Sequence, residues 1–233
     1  MVQQKPKTRS RKTTTYKGAE YKPKVPLEAK TRKQQEYIDA LTTSSQVIVV
    51  GPAGTGKTYI AATMAAKLYQ AKEIDKIVIT RPHIAVGKDI GFLPGTLEEK
   101  TTPWAMPVLD ILERHLGKGT VETGIKNGNI EMCPLALIRG RTFDKAFIIL
   151  DEAQNLTIQE VKALLTRVGE GSQVVLDGDI QQSDIKETSG LHKVTHLAKK
   201  HMLPVPIIEF DIDDCVRSDI CKQWITVFMK EKL

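Results

Sequence analysis

A β-branched run, Gln46 to Val50, ends at Gly51 and leads into Lys57 to Ala71, where Ile60, Ala61, Met64, Ala65 and Leu68 recur at helical spacing. A short wholly apolar strand that runs through a glycine-rich turn into a helix belongs to a sheet covered on both faces. The turn is Gly51-Pro52-Ala53-Gly54-Thr55-Gly56-Lys57-Thr58, two glycines five residues apart followed by Lys and Thr. This is the pattern of a phosphate-binding loop. Its glycines let successive backbone N–H groups face phosphate oxygens, and the helix that follows points its positive end at the same place. Lys57 is expected to bridge the β- and γ-phosphates of a nucleotide, and the Thr58 hydroxyl to hold Mg²⁺.

The same alternation continues along the chain. Strands are expected at Lys76 to Thr80, Asn129 to Met132, Ala146 to Leu150, Ser172 to Leu176 and Pro206 to Phe210. Helices are expected at Thr31 to Leu41, Trp104 to Leu116, Thr157 to Val168, Ser189 to His201 and Asp219 to Lys230. Residues 87–103 read as a Gly/Pro-punctuated loop, and Gly117 to Gly128, with four glycines, as a turn or hairpin. Strands alternating with helices imply an α/β domain with a mostly parallel sheet.

Charge divides unevenly. The chain of 233 residues carries a net charge of +6, yet residues 1–33 alone hold eleven Lys and Arg against Glu20 and Glu28, leaving the remainder at −3. The first 25 or so residues are rich in Lys, Thr and Pro and poor in large aliphatics, so they cannot bury enough surface to offset the entropy of ordering. They read as a flexible basic arm, residues 1–26, ahead of one folded domain, residues 27–233. No stretch approaches the ~18 apolar residues of a membrane span, and no signal peptide is recognisable at the start. Three cysteines, Cys133, Cys215 and Cys221, with no Cys-x-x-Cys pair, fit neither a disulfide framework nor a structural zinc site. A cytoplasmic location is expected.

Two further segments carry chemistry. Phe147-Ile148-Ile149-Leu150 is a buried strand that delivers Asp151 and Glu152 at its C-terminal end, where open α/β sheets bind ligands. Asp151 is expected to engage Mg²⁺ and Glu152 to polarise the attacking water. The next strand leads into Leu176-Asp177-Gly178-Asp179-Ile180-Gln181-Gln182. A neutral amide there would lie beside the γ-phosphate and report hydrolysis, and of the two glutamines Gln181 is assigned that position by spacing. His192 and His196 lie one helical turn apart, but no carboxylate completes a metal site around them, and they read as exposed helix residues.

The chain resembles the PhoH family of P-loop ATPases. The resemblance rests on the phosphate loop at 51–58, Thr80-Arg81-Pro82, Gly91-Phe92-Leu93-Pro94-Gly95, Arg139-Gly140-Arg141-Thr142, Leu150 to Asn155, Leu165-Thr166-Arg167 and Gly178-Asp179 with Gln181. It covers about residues 30 to 230. It implies a single RecA-like domain similar to the ATPase core of superfamily 1 helicases, binding ATP with Mg²⁺ through Gly51, Pro52, Ala53, Gly54, Thr55, Gly56, Lys57 and Thr58. It also implies that Gln34, in Thr31-Arg32-Lys33-Gln34, reads the adenine ring, since an amide can pair with both the amino group and a ring nitrogen.

Charge on the transferred phosphoryl group is usually met by arginine. Arg81, Arg139, Arg141, Arg167 and Arg217 are candidates; Arg217, which resembles the arginine of the last helicase motif, and Arg141 are preferred. One RecA-like domain supplies only one wall of such a site, so a homo-oligomer, a hexameric ring with an arginine donated in trans, is expected. The arm is expected to bind RNA or single-stranded DNA through phosphate contacts. Sequence reasoning thus points to an ATP hydrolase coupled to translocation on, or remodelling of, RNA or single-stranded DNA. The alternative is an ATP-dependent conformational switch that binds partners without translocating.

Overall fold

The computed structural model describes residues 26–82, 97–185 and 188–231. The basic residues 1–25 and the Gly-Phe-Leu-Pro-Gly segment lie outside the described residues. Six strands form one parallel sheet: β1 (Gln46–Val50), β2 (Lys76–Thr80), β3 (Ile130–Met132), β4 (Ala146–Leu150), β5 (Gln173–Gly178) and β6 (Ile207–Glu209), in the order β3-β2-β4-β5-β1-β6. Seven helices are present among the described residues: α1 (Arg32–Thr43), α2 (Lys57–Gln70), α3 (Leu97–Leu116), α4 (Lys118–Lys126), α5 (Ile158–Leu165), α6 (Gly190–Lys200) and α7 (Asp219–Glu231). None of these helices is long and apolar enough to cross a membrane.

Alternate residues of each central strand feed separate cores, as the period of two requires. From β1, Val47 and Val49 join Ile77, Ile79, Phe147 and Ile149 under α1 to α4, whereas Ile48 and Val50 join Ile148, Leu150, Val174 and Leu176 under α5 and α6. The strands therefore read as continuous apolar runs because both faces are covered.

The sheet places β5 between the phosphate-loop strand β1 and the carboxylate strand β4. Val49 pairs in register with Asp177, Val50 with Gly178, and Leu150 with Leu176. In parallel strands, residues in register share a face, so the residues following Leu150 and Leu176, Asp151 and Asp177, emerge side by side at the C-terminal edge. This is the consequence of topology that matters most for the site.

Two local expectations are overturned. Residues 118–126 are a helix, not a hairpin: Gly117 at φ 84° and Gly128 at φ 73° bound it, and only Gly119 and Gly124 lie inside. Gly124 is required there because a Cβ would stand 2.8 Å from the Ile130 side chain, so the glycine lets α4 lie against β3. Tertiary packing thus overrides a poor local propensity. The loop expected over residues 87–103 likewise gives way to helix from residue 97, with Pro103 and Pro107 inside α3; residues 87–96 lie outside the described residues.

Candidate functional site

A cavity of about 630 Å³ opens at the C-terminal edge of the sheet, lined by the phosphate loop, the ends of β4 and β5, the start of α1 and the segment before α7. Its size and position suit a small ligand of an open α/β sheet. Gly51, Gly54 and Gly56 all have positive φ and turn the loop around the N-terminus of α2. The loop is tied on both sides: Gly51 N–H donates to Gly178 O at 3.2 Å, and Val216 N–H to Gly54 O at 3.0 Å.

Lys57 is nearly buried, and its ammonium donates to Gly51 O at 2.9 Å and Pro52 O at 3.1 Å, with Asp177 Oδ1 4.0 Å away. The Thr58 hydroxyl lies 2.8 Å from Asp177 Oδ2 and 3.3 Å from Asp151 Oδ1. One hydroxyl proton serves only one acceptor at a time, and the shorter contact is to Asp177. Burial pushes the Asp177 carboxyl up to about 7, against the opposing pull of Lys57 and with Asp151 adding to the rise. Asp151 is raised too, first by burial and then by the neighbouring Glu152.

These groups fit a divalent cation brought in by phosphates. Thr58 and Asp151 offer oxygen donors on one side, as a hard cation prefers. No group of three or more His, Cys, Asp or Glu among the described residues makes a metal cage by itself. Remaining ligands would have to come from phosphate and water. His192 and His196 are exposed residues of α6.

Glu152 sits at φ 55°, in the left-handed region, directly after β4. Its carboxylate is held from two sides: Arg81 Nη2 lies 3.2 Å from Oε1, and the Gln154 amide donates to Oε2 at 2.6 Å. Gln154 is itself buried, and its Oε1 accepts the Asp179 N–H at 3.0 Å, so one side chain spans the carboxylate loop and the loop after β5. Arg81 follows β2, whose Thr80 O accepts the Asp151 N–H at 3.0 Å.

Gln34 lines the cavity from α1 and is buried. Its Nε2 donates to Thr55 O at 2.9 Å and its Oε1 accepts Lys30 N–H at 2.7 Å. An amide has two N–H donors and two lone pairs, so one donor and one lone pair stay available for a base. Thr31 caps the helix, its hydroxyl accepting Gln34 N–H.

Among the expected residues, Gln34, Ala53, Gly54, Gly56, Lys57, Thr58, Asp151, Glu152 and Arg217 line the cavity together. Gly51, Pro52 and Thr55 complete the loop: Gly51 O and Pro52 O accept from Lys57, and Thr55 Oγ1 donates to Pro52 O at 3.1 Å. Two expectations change. Gln182, not Gln181, lines the cavity. Counted from Gly178-Asp179, the position of the Gly-Asp-x-x-Gln glutamine is Gln182, while the Gln181 backbone N–H is used in capping to Asp179 Oδ1 at 3.0 Å.

Arg141 is not brought to the cavity. It forks onto Glu131 of edge strand β3, with Nη2 2.8 Å from Oε2, touches Cys133 Sγ at 3.2 Å and lies 4.8 Å over the Phe143 ring. Arg141 holds the Glu131 carboxyl below its usual range, through hydrogen bonding first. Burial pushes the Cys133 thiol up to about 11, which leaves it without nucleophilic character. Within one chain, then, Arg141 braces the sheet edge. Replacing Arg141 by Ala is expected to cost about 1–2 kcal/mol of stability for a half-exposed, bidentate charged pair, read as a lower melting temperature. Nucleotide affinity should not change; a loss of affinity in a variant of normal melting temperature would return Arg141 to the site.

Sequence reasoning did not single out Asp177 or Gln154. Both were visible only as members of longer motifs; the register of β5 between β1 and β4 brings Asp177 to the phosphate loop and sets the loop after β5 against Gln154.

Residues 26–229 match the family described as PhoH-like protein. The chain is 40% identical over 207 residues to a PhoH-like protein of Bacillus subtilis (strain 168), covering 88% of this chain and 65% of that protein. It is 38% identical over 207 residues to Protein PhoH of Escherichia coli (strain K12), covering 87% of this chain and 58% of the relative. It therefore spans roughly three-fifths of the length of these relatives. Among solved structures, the large terminase from a thermophilic bacteriophage shares the fold at a TM-score of 0.53 and 14% identity, over 83% of this chain and 48% of that one. With a family match over nearly all the described residues, a phosphate loop on a parallel sheet and paired carboxylates at its edge, the chain belongs to the PhoH-like protein family and has its RecA-like P-loop NTPase fold.

Proposed function

We propose that the chain is a Mg²⁺-dependent ATPase, converting ATP and water to ADP, phosphate and a proton, whose turnover is coupled to RNA or single-stranded DNA. The observation that carries this reading is the convergence of Lys57, Thr58, Asp151 and Glu152, from β1/α2 and β4, on one cavity. Lys57 is the counter-charge for the β- and γ-phosphates. Thr58 and Asp151 hold the cation, which supplies charge neutralisation on the phosphoryl oxygens when bound. Glu152 orients the attacking water and accepts its proton, Gln182 senses the γ-phosphate, and Gln34 reads adenine.

Arg217 is taken as the arginine that meets phosphate charge; its exposure at the rim, with its Cγ 2.5 Å from where a Gly54 Cβ would be, supports this reading. The exposed apolar residues Ile220, Trp224, Val227 and Phe228 of α7 begin three residues beyond it. Because this exposed face begins so soon after a cavity-lining arginine, we take a second copy of the chain as its occupant, in a ring, hexameric in the simplest case, that closes the site. Residues 1–26 act as the basic arm that follows nucleic-acid phosphates, and residues 27–233 as the ATPase domain in the cytoplasm.

A second reading, an ATP-dependent switch without translocation, is favoured by the engagement of Glu152 with Arg81 and Gln154, which restrains the carboxylate. ATP hydrolysis measured with and without RNA, single-stranded and double-stranded DNA, beside a native mass, separates the two. Stimulation on the order of tenfold or more by single strands supports coupling, whereas equal rates in all cases support the switch. Absence of any hydrolysis by an assembled oligomer would reject the coupled ATPase. Deleting residues 1–25 should weaken single-strand binding at low salt; unchanged affinity would remove the arm from the reading.

A further inference from the structure

Two aspartates of the cavity wall, Asp177 and Asp179, are not used by the reaction described above, and of these Asp177 contacts Thr58 and lies against Lys57. Asp177 is 1% exposed, takes the shorter of the two contacts to the Thr58 hydroxyl, and lies 4.0 Å from the Lys57 ammonium. It stands beside Asp151, because the residues preceding the two acids, Leu176 and Leu150, are paired in register. Arg81 pairs with Glu152 and is the cation that acts on Asp151, whereas Lys57 is the cation that faces Asp177. Lys57 and Thr58 are the groups a nucleotide needs, and Asp177 touches or faces both.

We propose that Asp177 makes nucleotide binding conditional on a divalent cation, by drawing on Lys57 and Thr58 and by repelling phosphate that arrives without one. The inference rests on the nucleotide-site reading and adds a determinant of ligand form: the species admitted is the cation–nucleotide complex. At an effective dielectric near 20, an ionised carboxylate ~5 Å from a unit of phosphate charge weakens binding on the order of a hundredfold; because burial raises the Asp177 carboxyl to about 7, the effect is read at about pH 9, where that carboxyl is ionised. Lys57 offsets only part of this, since its one charge is shared between Asp177 and the phosphates. A cation held by Thr58 and Asp151 would turn the repulsion into attraction, with Asp177 accepting from the Thr58 hydroxyl.

Asn at this position is nearly isosteric and keeps a carbonyl oxygen that accepts from Thr58, while the negative charge is gone. Fluorescent ADP and a non-hydrolysable ATP analogue, titrated into the full chain with excess Mg²⁺ or excess EDTA, read the effect without turnover. The wild type should bind at least about a hundredfold more weakly in EDTA. Asp177→Asn, and Asp177→Thr as a second variant, should narrow that ratio by on the order of ten- to a hundredfold, chiefly by gaining affinity in EDTA. Thermal melts establish that the variants are folded. A ratio unchanged in folded variants overturns the role of Asp177, and so does a wild type that binds equally well with and without the cation, whatever the variants do. A wild type that binds nucleotide under neither condition overturns the nucleotide-site reading itself, so the two failures are distinguishable.

Discussion

Replacing Glu152 by Gln is expected to reduce ATP turnover by about 10²- to 10⁴-fold, the range lost when a positioned general base is removed, while nucleotide affinity stays within about threefold of wild type. The substitution keeps the shape of the side chain and one oxygen acceptor but deletes the charge that orients and deprotonates water. The groups proposed to hold the phosphates and cation, Lys57, Thr58 and Asp151, are untouched. Glu152 also sits in a strained backbone position, φ 55°, and is fixed by contacts from Arg81 and Gln154, so a longer or shorter side chain would confound position with charge. Single-turnover hydrolysis, paired with a nucleotide titration in Mg²⁺, checks the split. Turnover within a few fold of wild type would assign the proton to another group, and a parallel loss of affinity would mean that Glu152 supports binding instead.

The largest expected effect on stability comes from Gly51→Ala. Gly51 has φ 146°, and a Cβ there would stand 2.6 Å from both the Cβ and the backbone oxygen of Phe210. Phe210 cannot retreat cheaply, because its N–H donates to Val50 O at 2.8 Å and its ring packs edge-on to Tyr37 at 6.1 Å. The added methyl must therefore push β6 from β1 or twist the loop, a cost of about 3 kcal/mol or more for a strained, overpacked buried site. For a domain of this size that is roughly a 6–12 °C fall in melting temperature, and nucleotide affinity should fall with it because the loop carbonyls of Gly51 and Pro52 anchor Lys57. A melting temperature within about 2 °C of wild type would show that the β1–β6 seam yields more readily than its contacts suggest.

Much of the architecture was legible because its local signals agree. In β1, β2 and β4, dense apolar runs end at Gly51, Arg81 and Asp151, and α2 pairs helical apolar spacing with a glycine-rich entry. Where local and tertiary preferences conflict, the reading failed in a consistent way. The glycines of α4 suggested a turn, yet one of them is there for the close approach of Ile130. The Arg-Gly-Arg-Thr segment suggested a phosphate arginine, yet Arg141 has a carboxylate partner ten residues away in sequence that no spacing rule identifies.

The sequence by itself determined the class of fold, the glycine-rich loop of the phosphate-binding pattern and the carboxylate pair that follows β4, because each is a short contiguous pattern set by residue type and spacing. Which additional side chains share that cavity was decided only by the tertiary structure. The order β4-β5-β1 sets Asp177 against Thr58, Gln154 between Glu152 and Asp179, and Gln182 rather than Gln181 at the wall. The physical reason is that strand order and register are properties of non-local pairing: they bring together residues about 120 positions apart, such as Thr58 and Asp177, and no local periodicity carries that information.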